Sequence, residues 1–137
     1  MVHDFKNNTI LLIDDDKMFR GFLDHIIKIK IGAKVIHANN PKEGFEILKK
    51  FVPDLLLLDM EMPMMDGVTT LKYIRSINKL LNLPVIACTS INKSNLVVAL
   101  KKLGIIDFIH KKTEPSIITH RLKIHLAEIN LQRLHNL

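Results

Sequence analysis

Short unbroken apolar runs alternate along this chain with longer stretches in which apolar residues recur every three or four positions, and the alternation repeats five times. The runs are "TILLI" (residues 9–13), "AKVIHA" (33–38), "DLLLLD" (54–59), "LPVIACT" (83–89) and "IIDFIH" (105–110). The first, third and fourth read as continuously apolar, which is what parallel strands covered on both faces require. Between them, "KMFRGFLDHIIK" (17–28) sets Phe19, Phe22, Leu23, Ile26 and Ile27 on one helical face. "NPKEGFEILKKF" (40–51) begins with Asn40 as N-cap, Pro41 at the first helical position and Glu43 at the capping-box position. Asp66 is placed to cap a third helix whose face carries Val68, Leu71 and Ile74. "KSNLVVALKKL" (93–103) reads as a fourth helix stopped by Gly104, and residues 115–137 as a long final helix with Pro115 near its start.

Five successive strand–helix units predict an α/β fold, a doubly wound five-stranded parallel sheet with helices on both faces. The final helix carries two apolar rows. Ile118, Leu122, Leu126 and Ile129 have the spacing of a face packed on the sheet. Ile117, Ile124 and Leu131, with His120, Ala127 and Leu134 three residues after each, lie on nearly the opposite side. That second row is either scattered surface residues or a short helix–helix seam. A seam would serve a weak homodimer or lead into a further domain.

Composition narrows the classes without naming one. A chain of 137 residues accommodates one domain, and no linker, repeat or low-complexity block divides it. The longest apolar runs are far too short to span a membrane, and the N-terminus has no apolar signal region, so a soluble cytoplasmic protein is expected. A single cysteine, Cys88, excludes a disulfide framework or a cysteine metal cluster. The net charge of +6 is expected on a solvated surface. With one Tyr and no Trp, stacking platforms for nucleic acid are scarce.

The chemistry lies just after the apolar runs. Asp14, Asp15 and Asp16 follow the first, Asp59 ends the third, Thr89 and Ser90 follow the fourth, and Lys111 and Lys112 follow the fifth. In an open parallel sheet all of these fall at the carboxyl edge, where such folds place their sites. Clustered carboxylates are costly unless something positive binds among them. Oxygen ligands suit a hard cation such as Mg²⁺, and a lysine and a hydroxyl beside them can hold phosphate oxygens. A carboxylate placed there can accept a phosphoryl group and form an aspartyl-phosphate.

The motifs "ILLIDDD", "LLLLDMEMPMMDG", "PVIACTS" and "DFIHKK" resemble the receiver domain of bacterial two-component response regulators, the chemotaxis single-domain type in particular. The resemblance covers residues 9–128, about the expected core of a single receiver domain over 1–137 with an extended C-terminal helix. The spacings fit it: 44 residues from Asp15 to Asp59, 30 from Asp59 to Thr89 and 22 from Thr89 to Lys111. It implies a flavodoxin-like sheet in the order 2-1-3-4-5. It also implies a signalling switch rather than an enzyme, one that catalyses only its own phosphoryl transfer and slow autodephosphorylation. On this likeness Asp59 is the phosphoacceptor, supplied by the phosphohistidine of a sensor histidine kinase or a phosphotransfer protein. Asp14, Asp15 and Asp59 hold Mg²⁺ with the backbone carbonyl of Glu61, Asp15 binding it directly. Thr89 bonds the phosphoryl oxygen, Lys111 pairs with the phosphoryl group, and Phe108 swings inward as Thr89 moves. The surface of the fourth helix, fifth strand and last helix then changes its affinity for a downstream effector or for an output domain.

Several residues have plainer readings. Asp16 is expected to cap the first helix, and Asp66 and Gly67 to be structural. Phe108 can be an ordinary packed aromatic. Met60, Met62, Met64 and Met65 are expected to pack a loop, and His37, His110, His120 and His125 to lie on surfaces. Two positions depart from the family pattern. Lys112 stands where a cis proline is usual; a non-proline cis bond costs about 2.5–4 kcal/mol, so a trans bond is expected. Glu61 adds a charge that could pair with a lysine or repel an incoming phosphoryl donor. The alternatives are a pseudo-receiver that is never phosphorylated and a phosphatase of the haloacid dehalogenase type. The latter wants an Asp where Glu61 stands and room for a cap domain. A dinucleotide or flavin binder lacks its glycine-rich turn after the first strand.

Overall fold

Strand periodicity explains how one sheet serves two cores. The computed structural model describes residues 3–91 and 94–137. Its strands are β1 (Thr9–Ile13), β2 (Lys34–Ala38), β3 (Leu55–Asp59), β4 (Val85–Thr89) and β5 (Asp107–His110), all parallel in the order β2-β1-β3-β4-β5. The helices are α1 (Lys17–His25), α2 (Pro41–Lys50), α3 (Gly67–Arg75), α4 (Ser94–Lys102) and α5 (Pro115–His135). Lys93, expected to open the fourth helix, lies outside the described residues.

Successive residues of a strand point to opposite faces. Ile10, Leu12, Leu55, Leu57, Ile86 and Ile109 therefore meet Phe19, Leu23 and Ile27 below α1, and Ile118, Leu122, Leu126 and Ile129 of α5. Leu11, Ile13, Leu56, Leu58, Val85 and Ala87 meet Leu48 of α2, Leu71 and Ile74 of α3 and Leu100 of α4. All five residues of β3 are buried, because this strand is central and covered on both sides. β2 at one edge is only partly covered.

The predicted caps form. Asp16 accepts from the N–H groups of Met18 and Phe19 (3.0 and 3.2 Å), and Asp66 from that of Thr69 (2.8 Å). Asn40 accepts from Glu43 N–H at 2.9 Å, but the Glu43 carboxylate reaches back to the N–H of Asn39 (2.7 Å), one residue beyond the cap. Gly104 ends α4 at φ +78°, a conformation other residues rarely adopt.

Some expectations need correction. The first helix does not stop at Lys28. It continues through Ile26–Ile31 with wider turns, burying Ile26, Ile27 and Ile31, until Gly32 at φ +84°. The alternating "IKIKI" masks this continuation in the sequence. Of the four methionines, Met60 and Met62 join the core while Met64 is 93% exposed. Gly67 is structural, as expected, because a Cβ there would lie 2.7 Å from the Met60 Cα. His125 is not a free surface residue: its Nε2 lies 2.8 Å from Asp107, which also binds the Arg121 guanidinium and so clamps α5 onto β5.

The outer row of α5 is exposed as expected at Ile117, Ile124, Leu131 and Leu134 (45–53%), but Ala127 packs against the core. Beyond residue 128 the helix remains attached. Asn130 and Asn8 exchange side-chain hydrogen bonds of 2.8 and 3.0 Å, and Arg133 pairs with Asp54.

Candidate functional site

The carboxyl edge of the sheet gathers residues that lie far apart in the chain. Asp14 leaves β1 with its N–H on Ala38 O (3.2 Å), Asp59 ends β3 beside Cys88 of β4, and Lys111 leaves β5 with its N–H on Thr89 O (2.7 Å). The continuous strand pairing sets these ends at one level.

Asp14, Asp15 and Asp59 each offer a carboxylate oxygen, and the three oxygens lie within 4.8 Å of one another. Asp14 and Asp59 are 3% and 1% exposed, whereas Asp15 is open to solvent. The Lys111 ammonium lies 3.0 Å from Asp14 Oδ2 and 3.3 Å from Asp59 Oδ1, and 4.9 Å from the centre of the Phe19 ring. The Lys111–Lys112 bond is trans, as expected, and Lys111 reaches the acids without a proline after it.

One cation for two buried carboxylates leaves a deficit. Burial and then the Asp14 charge push the Asp59 carboxyl up to about 8, against the N–H of Glu61 and the Lys111 charge. Burial alone would lower the Lys111 pKa, but its bonds and charge interactions with Asp14 and Asp59 raise it above the ordinary lysine value. Asp59 Oδ1 accepts from Glu61 N–H at 3.1 Å, while Asp59 Oδ2 is buried without a hydrogen-bond partner among the described residues. An orphaned carboxylate oxygen among three acids fits a hard divalent cation, whose preferred donors are such oxygens.

The fourth strand adds hydroxyls. Thr89 is fully buried. Its Oγ1 lies 2.5 Å from Glu61 Oε2 and accepts from Ile91 N–H at 3.1 Å. Glu61 Oε1 accepts from Ser90 N–H and Ser90 Oγ at 2.7 and 2.8 Å. Burial raises the Glu61 pKa, but these bonds from Ser90 and Thr89 outweigh it and hold the group below its ordinary value. Among the described residues Glu61 forms no ion pair with a lysine. Its carboxylate is bound to Thr89 and Ser90. Phe108 is half-buried and, by strand alternation, faces the same side of the sheet as Thr89, two rungs further back.

Sequence reasoning missed Arg20. It is 8% exposed, and its guanidinium donates to the Asp14 carbonyl, holding the loop that carries the acids. Its position three residues before Leu23 marked it as inward-facing.

Residues 10–123 match the family described as the response regulator receiver domain. The chain is 33% identical over 114 residues to the chemotaxis protein CheY of Thermotoga maritima, covering 82% of this chain and 92% of that one. It is 37% identical over 108 residues to a protein-glutamate methylesterase/protein-glutamine glutaminase of Photobacterium profundum, covering 77% of this chain but 27% of that protein. Thus the chain spans about a quarter or less of several curated relatives it matches. A CheY-like receiver domain protein from Methanospirillum hungatei shares the fold, with a TM-score of 0.83 at 22% identity over 92% of this chain and 98% of that one.

Proposed function

This chain belongs to the response regulator receiver domain family, and on that premise we propose that it is a phosphorylation-dependent signalling switch with Asp59 as its phosphoacceptor. The observation that carries this reading is the buried Oδ2 of Asp59, without a partner among the described residues and set beside Lys111 and the other two acids.

In this reading Asp59 Oδ2 attacks the phosphorus of a phosphohistidine on a histidine kinase or a phosphotransfer protein. The P–N bond breaks, the O–P bond forms, and the imidazole leaves with a proton from solvent. Lys111, already against Asp59, moves its charge onto a phosphoryl oxygen, and the Thr89 hydroxyl donates to another. Asp14, Asp15, Asp59 and the Glu61 carbonyl would hold Mg²⁺, which would supply the positive charge that lets an anion approach the acids. Phe108 follows Thr89 inward, and the face of α4, β5 and α5 then changes its affinity for a downstream effector or an output domain. The chain is a switch and no enzyme beyond forming and slowly hydrolysing its own acyl phosphate.

Incubation with acetyl phosphate and Mg²⁺ is expected to add one phosphoryl group by intact mass, and chelation to prevent it. An unchanged mass with Mg²⁺ present would establish the pseudo-receiver reading instead.

The aspartyl-phosphate is expected to be long-lived. On the family likeness the residues two beyond Asp59 and Thr89, Glu61 and Ile91, flank the path of an attacking water, and Ile91 cannot orient one by hydrogen bonding. Ile91→Asn should speed loss of the phosphoryl group several-fold, followed by intact mass against time. Equal or slower loss would remove Ile91 from the path of water.

A further inference from the structure

The Thr89 hydroxyl has one proton to donate. At 2.5 Å it is directed to Glu61 Oε2 in preference to the Ile91 carbonyl at 3.2 Å. Hydrogen bonds to a charged acceptor are roughly twice as strong as neutral ones. The same carboxylate takes both the N–H and the hydroxyl of Ser90, so three donors from two adjacent residues converge on one side chain. Glu61 is itself anchored, because its N–H is bound to Asp59 Oδ1 at 3.1 Å. A residue two positions past Asp59 thus holds Thr89 at the end of β4 and Ser90 after it.

We propose that the Glu61 carboxylate is a latch: it competes with the phosphoryl group for the Thr89 hydroxyl and holds Thr89 and Ser90 in their resting arrangement. This inference rests on the reading of Asp59 as phosphoacceptor and adds a positioning residue that acts through Thr89. Thr89 cannot donate its single proton to Glu61 and to a phosphoryl oxygen at once, so binding of the anion must break the 2.5 Å bond. The cost of breaking it sets how readily the switch turns. The two Ser90 bonds compete with nothing at Asp59. They give Glu61 a resting place, so the latch can close again when the phosphoryl group is lost.

Beryllofluoride, which mimics a phosphoryl group on a carboxylate, tests the latch as an equilibrium and leaves the rate of hydrolysis out of the measurement. With Mg²⁺ present, Glu61→Ala is expected to bind beryllofluoride about tenfold more tightly than the wild type, the effect of roughly one charge-assisted hydrogen bond. Glu61→Gln, which keeps the shape and a weaker acceptor, should fall between them. Before any beryllofluoride is added, the Thr89 and Ser90 amide resonances of Glu61→Ala should already have moved toward their beryllofluoride-bound positions. In a Thr89→Ala background the gain from Glu61→Ala should largely disappear, since the contested proton is gone.

Tighter binding that persists in the Thr89→Ala background, with unmoved amide resonances, would assign the effect to the Glu61 charge alone and overturn the latch. Unchanged or weaker binding by Glu61→Ala, with a wild type that binds normally, would overturn it while leaving Asp59 as acceptor. A wild type that shows no Mg²⁺-dependent binding at all would overturn both readings.

Discussion

Asp59→Asn is expected to melt higher than the wild-type chain at pH 8 in the presence of a chelator, while accepting no phosphoryl group from acetyl phosphate and Mg²⁺. Burial and the neighbouring Asp14 carboxylate push the Asp59 carboxyl up to about 8, from 3.8 for a free side chain. A carboxyl whose folded pKa is raised binds its proton more tightly in the native state than in the unfolded chain. Its destabilising contribution is therefore absent below about pH 4 and grows as the pH rises toward 8. Asparagine keeps the shape and removes the charge, so its advantage should follow the same course. It should be small at pH 4–5 and reach a few kcal/mol at pH 8, a rise in Tm of roughly 5–10 °C. Mg²⁺ should narrow the gap, because a cation bound only by the folded state stabilises the wild type by mass action. Thermal melts of both proteins at two pH values, with and without Mg²⁺, make the comparison. A variant that melts below the wild type at pH 8 in chelator would contradict the crowding of charge at this edge.

Leu56→Ala should carry a larger stability cost than any exposed substitution in the chain. Leu56 is fully buried, lies opposite Leu11 of β1 and Val85 of β4, and faces the core beneath α2, α3 and α4. Removing its side chain leaves a cavity in the central strand, where neighbours on both sides are fixed by the ladder. Such truncations cost about 2–5 kcal/mol, a large fraction of a domain's total stability. Met64→Ala, at 93% exposed, should stay within about 0.5 kcal/mol of the wild type. Urea denaturation of the two variants separates them. A Leu56→Ala midpoint within error of the wild type would show that the central strand tolerates a void.

The sequence by itself determined the order and type of the elements and the level at which the acids would meet. Strand and helix periods are local properties. A run such as Leu55–Leu58 must be covered on both faces, and parallel strands joined through helices must bring their carboxyl ends to one edge. Asp14, Asp59, Thr89 and Lys111 are therefore grouped by the sequence alone. The caps at Asp16, Asn40 and Asp66 were equally legible, because a cap is a contact between residues two or three apart. What only the tertiary structure decided was which side chain faces which across long separations. Asp59 pairs in register with Cys88, and that single rung sets Glu61 against Thr89 and Ser90. Neither its acidity nor its spacing indicates whether Glu61 meets a lysine, a phosphoryl donor or a hydroxyl. Arg20 under the Asp14 loop, and the clamp of Asp107 with Arg121 and His125, are of the same kind. Periodicity can turn a polar side chain inward, as at Arg20, but its partners are fixed only when the helices settle on the sheet.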